Sequence, residues 1–152
     1  DTSFAIYLSG LGLFLGFLLL MPLIVWWLFR TRGARLRRRN KVECGFRVLA
    51  GVEPGLGPQW VHGTAEIHPG GRLMFTGTRG GVRFLKRPPI GLTILAVDHP
   101  LGRQPGLGEA LSVSPVTRVL PVRTATAALE WAMLPSQTAW AVGQVTGRPA
   151  LP

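Results

Sequence analysis

IYLSGLGLFLGFLLLMPLIVWWLF, residues 6 to 29, runs for 24 residues without a charge. At about 1.5 Å per residue, a helix of that length reaches roughly 36 Å, enough to cross a hydrocarbon layer of about 30 Å with some tilt. Tyr7 stands near one end and Trp26 and Trp27 near the other, where amphipathic rings prefer the membrane–water interface. Pro22 falls inside the run, which a membrane helix tolerates. A secretory signal carries its positive charges before the apolar run and a small-residue cleavage site after it. Here the order is reversed: Asp1 precedes the run, and Arg30, Arg32, Arg35, Arg37, Arg38, Arg39 and Lys41 follow it. The positive-inside rule therefore predicts a single-pass anchor over residues 1–29 in the cell membrane, with the N-terminus outside and the remainder in the cytoplasm.

The seven cations after the span lie within residues 30–41, which hold no acid, and make a basic juxtamembrane collar over residues 30–44. The formal charge of the whole chain is +10, whereas residues 42–152 set ten Lys or Arg against six Asp or Glu, a net +4. The excess is thus concentrated beside the span, which favours a membrane surface with anionic lipids as partner. Near such a surface each basic side chain contributes about 1 kcal/mol, weakened by salt. No aromatic side chains interleave with the arginines to stack on bases, so nucleic acid is not an expected partner. Within the span, Ser9, Gly12 and Gly16 fall at helical spacing. Small residues so placed form a docking face for a second copy or for another membrane-protein subunit.

Beyond the collar the chain has room for one small domain, expected over residues 45–134, followed by a C-terminal extension at 135–152. Residues 51–59, with Gly51, Pro54, Gly55, Gly57 and Pro58, read as a loop. Short strand-like runs follow at Trp60–His68, Arg72–Thr78, Val82–Lys86, Gly91–Val97, Glu109–Val113 and Thr117–Val122, with Phe46–Leu49 as a seventh. Pro69-Gly70-Gly71, Gly80-Gly81 and Pro88-Pro89 supply turns between them. Ala125, Ala128, Leu129, Ala132 and Met133 then recur at i, i+3, i+4, i+7 and i+8. This predicts a closing helix over 124–134, capped by Thr124 and ended by Pro135. Gln137–Val145 is a further apolar stretch of open structure.

The expected fold is an N-terminal transmembrane helix plus a small mainly-β domain of six or seven antiparallel strands. The element order resembles a pleckstrin-homology-like, partly open barrel closed by a C-terminal helix. The wider pattern comprises an N-out membrane helix, an Arg-rich collar, Trp60-Val61-His62-Gly63 opening a strand, a basic middle, and Ala128-Leu129-Glu130-Trp131 near the end. That pattern resembles an uncharacterised family of small actinobacterial membrane proteins, known as a domain of unknown function whose gene often lies beside the ATP synthase genes. The resemblance implies a topology and an energy-membrane context, and no catalytic residue.

No catalytic, cofactor or metal site is expected. His62, His68 and His99 lack a cysteine or carboxylate pair to complete a ligand set. No Gly-x-Ser-x-Gly elbow is present. The Gly-rich segments at 77–81 and 102–108 match neither a phosphate loop nor a dinucleotide fingerprint. Cys44, the single cysteine, reads as a small inert residue, and no small-molecule substrate is identifiable. One surface stands out: Arg79, Arg83, Lys86 and Arg87 cluster on one predicted hairpin, a candidate face for anionic lipid or an acidic partner. The functional expectation is a non-enzymatic, membrane-anchored interaction module, an accessory subunit of a larger membrane complex. The alternative is an anionic-lipid-binding sensor or adaptor of pleckstrin-homology-like type.

Overall fold

The computed structural model describes residues 2–80, 82–109, 113 and 116–147; the side chain of Arg83 is outside that set. The chain divides into two compact units, residues 1–35 and residues 36–152.

The first unit is formed by helix α1 (Thr2–Arg38), whose last residues belong to the second. Every large apolar side chain from Phe4 to Phe29 is 42–78% exposed. The helix is long and apolar enough to span a membrane. It stops where Asn40 adopts a left-handed conformation (φ 54°), a position Asn tolerates better than most residues. The N–H groups of Arg39 and Asn40 donate to the carbonyls of Leu36 and Arg37, both at 3.0 Å, closing the last turn.

The second unit is an open antiparallel β-sheet with one C-terminal helix. Its strands are β1 (Lys41–Gly51), β2 (Val61–His68), β3 (Arg72–Arg79), β4 (Val82–Lys86), β5 (Ile90–Thr93), β6 (Ala96–Val97), β7 (Arg118–Arg123) and β8 (Ala127–Met133). The spatial order is β4-β3-β2-β1-β8-β7-β6, with β5 also paired to β3. β5 and β6 are consecutive, yet they pair with strands far apart in this order. Between them, the Ile94 N–H donates to the Gly71 carbonyl and the Leu95 N–H to the Arg123 carbonyl, both at 2.8 Å. The run Ile90–Val97 therefore bonds to β3 and the β2–β3 turn at one end and to β7 at the other.

The expected closing helix over 124–134 is not formed. Residues 127–133 are strand β8, bonded to β1 on one side and to β7 on the other. The reason is burial on both faces. Ala127, Leu129, Trp131 and Met133 point into the main core, while Glu130 and Ala132 are buried on the opposite face. A strand covered twice loses its apolar–polar alternation and reads as a continuous apolar run, which periodicity cannot tell from a helix. Pro135 also reverses its expected role. It opens helix α2 (Pro135–Thr146), occupying the first turn, where the missing N–H costs nothing. Gly147 ends α2 in the left-handed conformation, at φ 65°. α2 buries Thr138, Ala141 and Val145 against the domain, so the extension expected at 135–152 is in its described part a packed helix. Of the strand expected at 109–113, Glu109 lies in a 3-10 turn (Leu107–Glu109), and residues 110–112 lie outside the described residues.

The core centres on three aromatic rings from β1, β3 and β8. Phe46 and Trp131 lie nearly parallel with centroids 5.6 Å apart, and Phe75 meets Phe46 edge-on at 5.0 Å. All three are fully buried. Close approach of β2 and β3 depends on Gly63 in β2, which pairs with Gly77 in β3. A Cβ on Gly63 would stand 2.1 Å from the Thr76 carbonyl oxygen and 2.8 Å from Gly77 Cα, and both obstacles are backbone. Gly63→Ala is therefore expected to lower stability by about 1–3 kcal/mol. Gly91→Ala, with open space at its Cβ position, serves as the control. Denaturant unfolding of the full chain in detergent measures both, and equal midpoints for the two variants would overturn the packing argument.

Candidate functional site

Two charged arrangements stand on the β-domain, and they differ in kind. The first is buried. Glu130 projects from β8 on the face away from the aromatic core and is 5% exposed. One carboxylate oxygen accepts the Nε of Arg47 from β1, at 3.0 Å, together with an Nη of the same guanidinium. The other accepts an Nη of Arg103 from the β6–β7 connection. Arg103 also forms a two-pronged pair with Glu109, at 3.0 and 3.2 Å. Glu109 approaches Arg47 at 3.7 Å, so the four charges alternate in sign and cancel. The ring of Trp60 lies over the Arg47 guanidinium, 5.0 Å from centroid to carbon. The Arg103 bonds hold the Glu109 carboxyl below the ordinary carboxylate range, and Glu109 in turn raises Arg103 further.

Both Glu130 oxygens are engaged by guanidinium donors. The cluster acts as a clamp: it fastens the β6–β7 connection across β1 and β8, beside a 290 Å³ pocket lined by Leu49, His99, Gly102, Arg103, Pro121 and Glu130. None of the four charges is expected as a site residue from the sequence. The available signal was Glu130 itself, a lone charge inside the apolar run Ala127–Met133, because a buried charge requires partners.

The second arrangement is open to solvent. Arg79 ends β3, and Arg87 follows β4. Both line a groove of about 850 Å³ with Glu53, Pro54, Gly55, Pro88, Pro89, Ile90 and Gly91. The Arg87 N–H donates to the Gly77 carbonyl at 2.8 Å, which fixes the backbone of that side chain. Its stem lies where Gly77 lacks a Cβ, with Cδ 3.6 Å from the position that atom would take. Glu53 turns its Oε2 to the hydroxyls of Thr124 and Thr126, both at 2.9 Å. Of the four basic residues expected to share a face, the structure brings Arg79 and Arg87 into one groove. Lys86 pairs with Thr78 in the adjoining hairpin and is exposed, while the Arg83 side chain is outside the described set.

The collar residues divide. Arg37 turns onto α2: its Nε donates to Gln137 Oε1 at 3.1 Å, an Nη donates to the Ser136 carbonyl, and its guanidinium lies 5.8 Å from the Trp140 ring. Arg30 lies over its own helix neighbour Trp26 at 5.2 Å, and Lys41 faces Glu66 at 3.8 Å. In the helix, the Ser9 hydroxyl is spent on the Ala5 and Ile6 carbonyls, and open space surrounds the Cβ positions of Gly12 and Gly16. Cys44 is buried in the core, and burial pushes its thiol up to about 12, which keeps it protonated and unreactive. His62 stacks near Trp60 with centroids 6.3 Å apart, and His68 lies 3.5 Å from Glu66. Among the described residues, no three His, Cys, Asp or Glu side chains gather as a ligand set.

Removing the Glu130 carboxylate leaves the Arg47 and Arg103 guanidiniums with Glu109 alone to neutralise them. Glu130→Ala should cost about 3 kcal/mol, the lower end for a buried pair because Arg103 is partly exposed. Denaturant unfolding measures the loss, and an unchanged midpoint would sink the clamp. The contribution of Glu109, whose folded value is depressed, is fully present above its ordinary value of 4.5 and is lost as pH falls through the folded value. Melting curves of the wild type and Glu109→Gln should therefore differ at neutral pH and converge in acid; a gap independent of pH would contradict the pairing.

No family model, no curated protein and no solved structure matches the chain.

Proposed function

We propose that the chain is a non-enzymatic, membrane-anchored interaction module, an accessory subunit of a larger membrane complex. The observation that carries this reading is the joining of two features in one chain. An uncovered apolar helix long enough to span a bilayer leads into a β-domain whose acids are engaged internally and whose unpaired cations face solvent. The anchor sits in the cell membrane with its N-terminus outside and the β-domain in the cytoplasm, supported by the cations that follow the span. Anchoring raises the local concentration of the domain, so that weak contacts yield stable association.

The β-domain is read as a pleckstrin-homology-like, partly open barrel. Support comes from the run Ile90–Val97, which bonds to distant strands of the sheet, and from the packing of α2 on the core. The resemblance to the actinobacterial family adds an energy-membrane context. A second reading, an anionic-lipid sensor, is favoured by the groove of Arg79 and Arg87.

Tagged full-length protein drawn from native membranes in mild detergent should bring membrane-complex subunits in fixed stoichiometry, identified by mass spectrometry. A Cβ at Gly12 or Gly16 meets nothing within 4 Å, so a loss of those subunits in the Gly12→Leu, Gly16→Leu double variant would locate the contact on the helix. A lone monomer with no co-isolating protein would sink the subunit reading.

A further inference from the structure

The β3–β4 hairpin combines two properties that rarely share a surface. Phe84 is 84% exposed and Leu85 49%, adjacent on the short strand β4. Around them stand Arg79, Lys86 and Arg87, which form no ion pair among the described residues. The acids elsewhere in the domain are already occupied. Glu66 faces Lys41, Asp98 bonds Arg123, Glu109 and Glu130 share Arg47 and Arg103, and Glu53 holds two threonine hydroxyls. A phenyl ring exposed to water beside three cations that lack an ion-pair partner is a surface that one partner, anionic and apolar together, would match on both counts.

An anionic phospholipid surface supplies both complements at once: a phosphate layer for the guanidiniums and an apolar layer beneath it for the ring. The groove fits the headgroup part of such a ligand. Its volume of about 850 Å³ is bounded by Pro88, Pro89 and Ile90 on the apolar side and by two guanidiniums on the polar side. Gly55, at φ 84°, brings the opposite wall into contact with Ile90, since a Cβ there would stand 2.5 Å from Ile90 Cδ1. Glu53 lowers the positive charge of the groove without cancelling it.

We propose that the β3–β4 hairpin is a lipid-binding element: Arg79 and Arg87 hold the phosphate of an anionic phospholipid in their groove, and Phe84 enters the acyl layer beside it. The proposal rests on the membrane-anchored reading and adds a site and a ligand class to it.

The test uses the full chain in lipid nanodiscs, with an environment-sensitive dye on Phe84→Cys; Cys44 is buried and stays unlabelled. In discs containing phosphatidylglycerol the dye should be quenched by brominated acyl chains. In pure phosphatidylcholine discs it should report water. Arg79→Gln with Arg87→Gln should weaken association of the hairpin with the lipid about 25-fold, at roughly fivefold per charge. Dye on Leu107→Cys, a fully exposed site in the β6–β7 connection, should stay in water throughout. Four results would each overturn the proposal: a dye at position 84 that reports water in both discs, equal quenching in neutral and anionic discs, equal quenching at position 107, or complete release by inorganic phosphate, which would make free phosphate the ligand. A chain that never enters the discs fails the anchor reading first. A chain embedded in the discs with its hairpin in water fails only the lipid site.

Discussion

Strand β8 lies between β1 and β7 with both of its faces covered, and the layout of the β-domain follows from satisfying that position. Its inward side chains set Trp131 against Phe46, the centre of the apolar core. Its outward side chains need a second cover, which Trp60, Val113 and Val119 provide around Ala132. Glu130 also points outward, and a carboxylate buried there is tolerable only when both oxygens are bonded. Arg47 arrives from the neighbouring strand, but Arg103 must come from a long connection. One buried charge thereby dictates where that connection runs, which in turn closes the outer face of the sheet.

The same economy sorts the charges of the domain. Its acids are drawn into contacts that hold strands and connections together, so the surplus cations are left on the surface. They are not spread evenly. Arg79, Lys86 and Arg87 gather at the hairpin where β4 leaves the sheet, because short β4 makes few cross-strand pairs and exposes both its faces. A surface rich in unpaired cations beside uncovered apolar side chains is thus the complement of a neutralised interior.

The long apolar helix and most strands are legible because each rests on a local signal: a long uncharged run, or an alternating run bounded by Gly and Pro turns. The strand expected at Val82–Lys86 matches β4 residue for residue, and Arg79 and Arg87 do share a groove. The C-terminal third misled for one physical reason. Ala128, Leu129, Ala132 and Met133 satisfy helical spacing by composition, whereas their conformation is set by hydrogen bonds to β1 and β7, which are distant information. Pro135 fits a stop in the sequence yet is a start in the structure, because proline suits the first turn of a helix as well as the residue after its end. The charge cluster was out of reach for a similar reason: Arg47 lies 83 residues from Glu130 and Arg103 lies 27 away, so no spacing rule links them.

The order β4-β3-β2-β1-β8-β7-β6 leaves the sheet with ends, and free strand edges are places where a second sheet can add itself. Proteins held in a bilayer meet one another in two dimensions, at local densities far above those of the same number of molecules in bulk. Edge-to-edge zippering is then a greater hazard than it is in solution. In this chain β6 is only two residues long, and β4 is five residues long and carries Lys86 at its end. A template that short, or one that repels its own image, offers little for a neighbouring copy to extend. Neither β4 nor β6 therefore offers a second copy much backbone to extend.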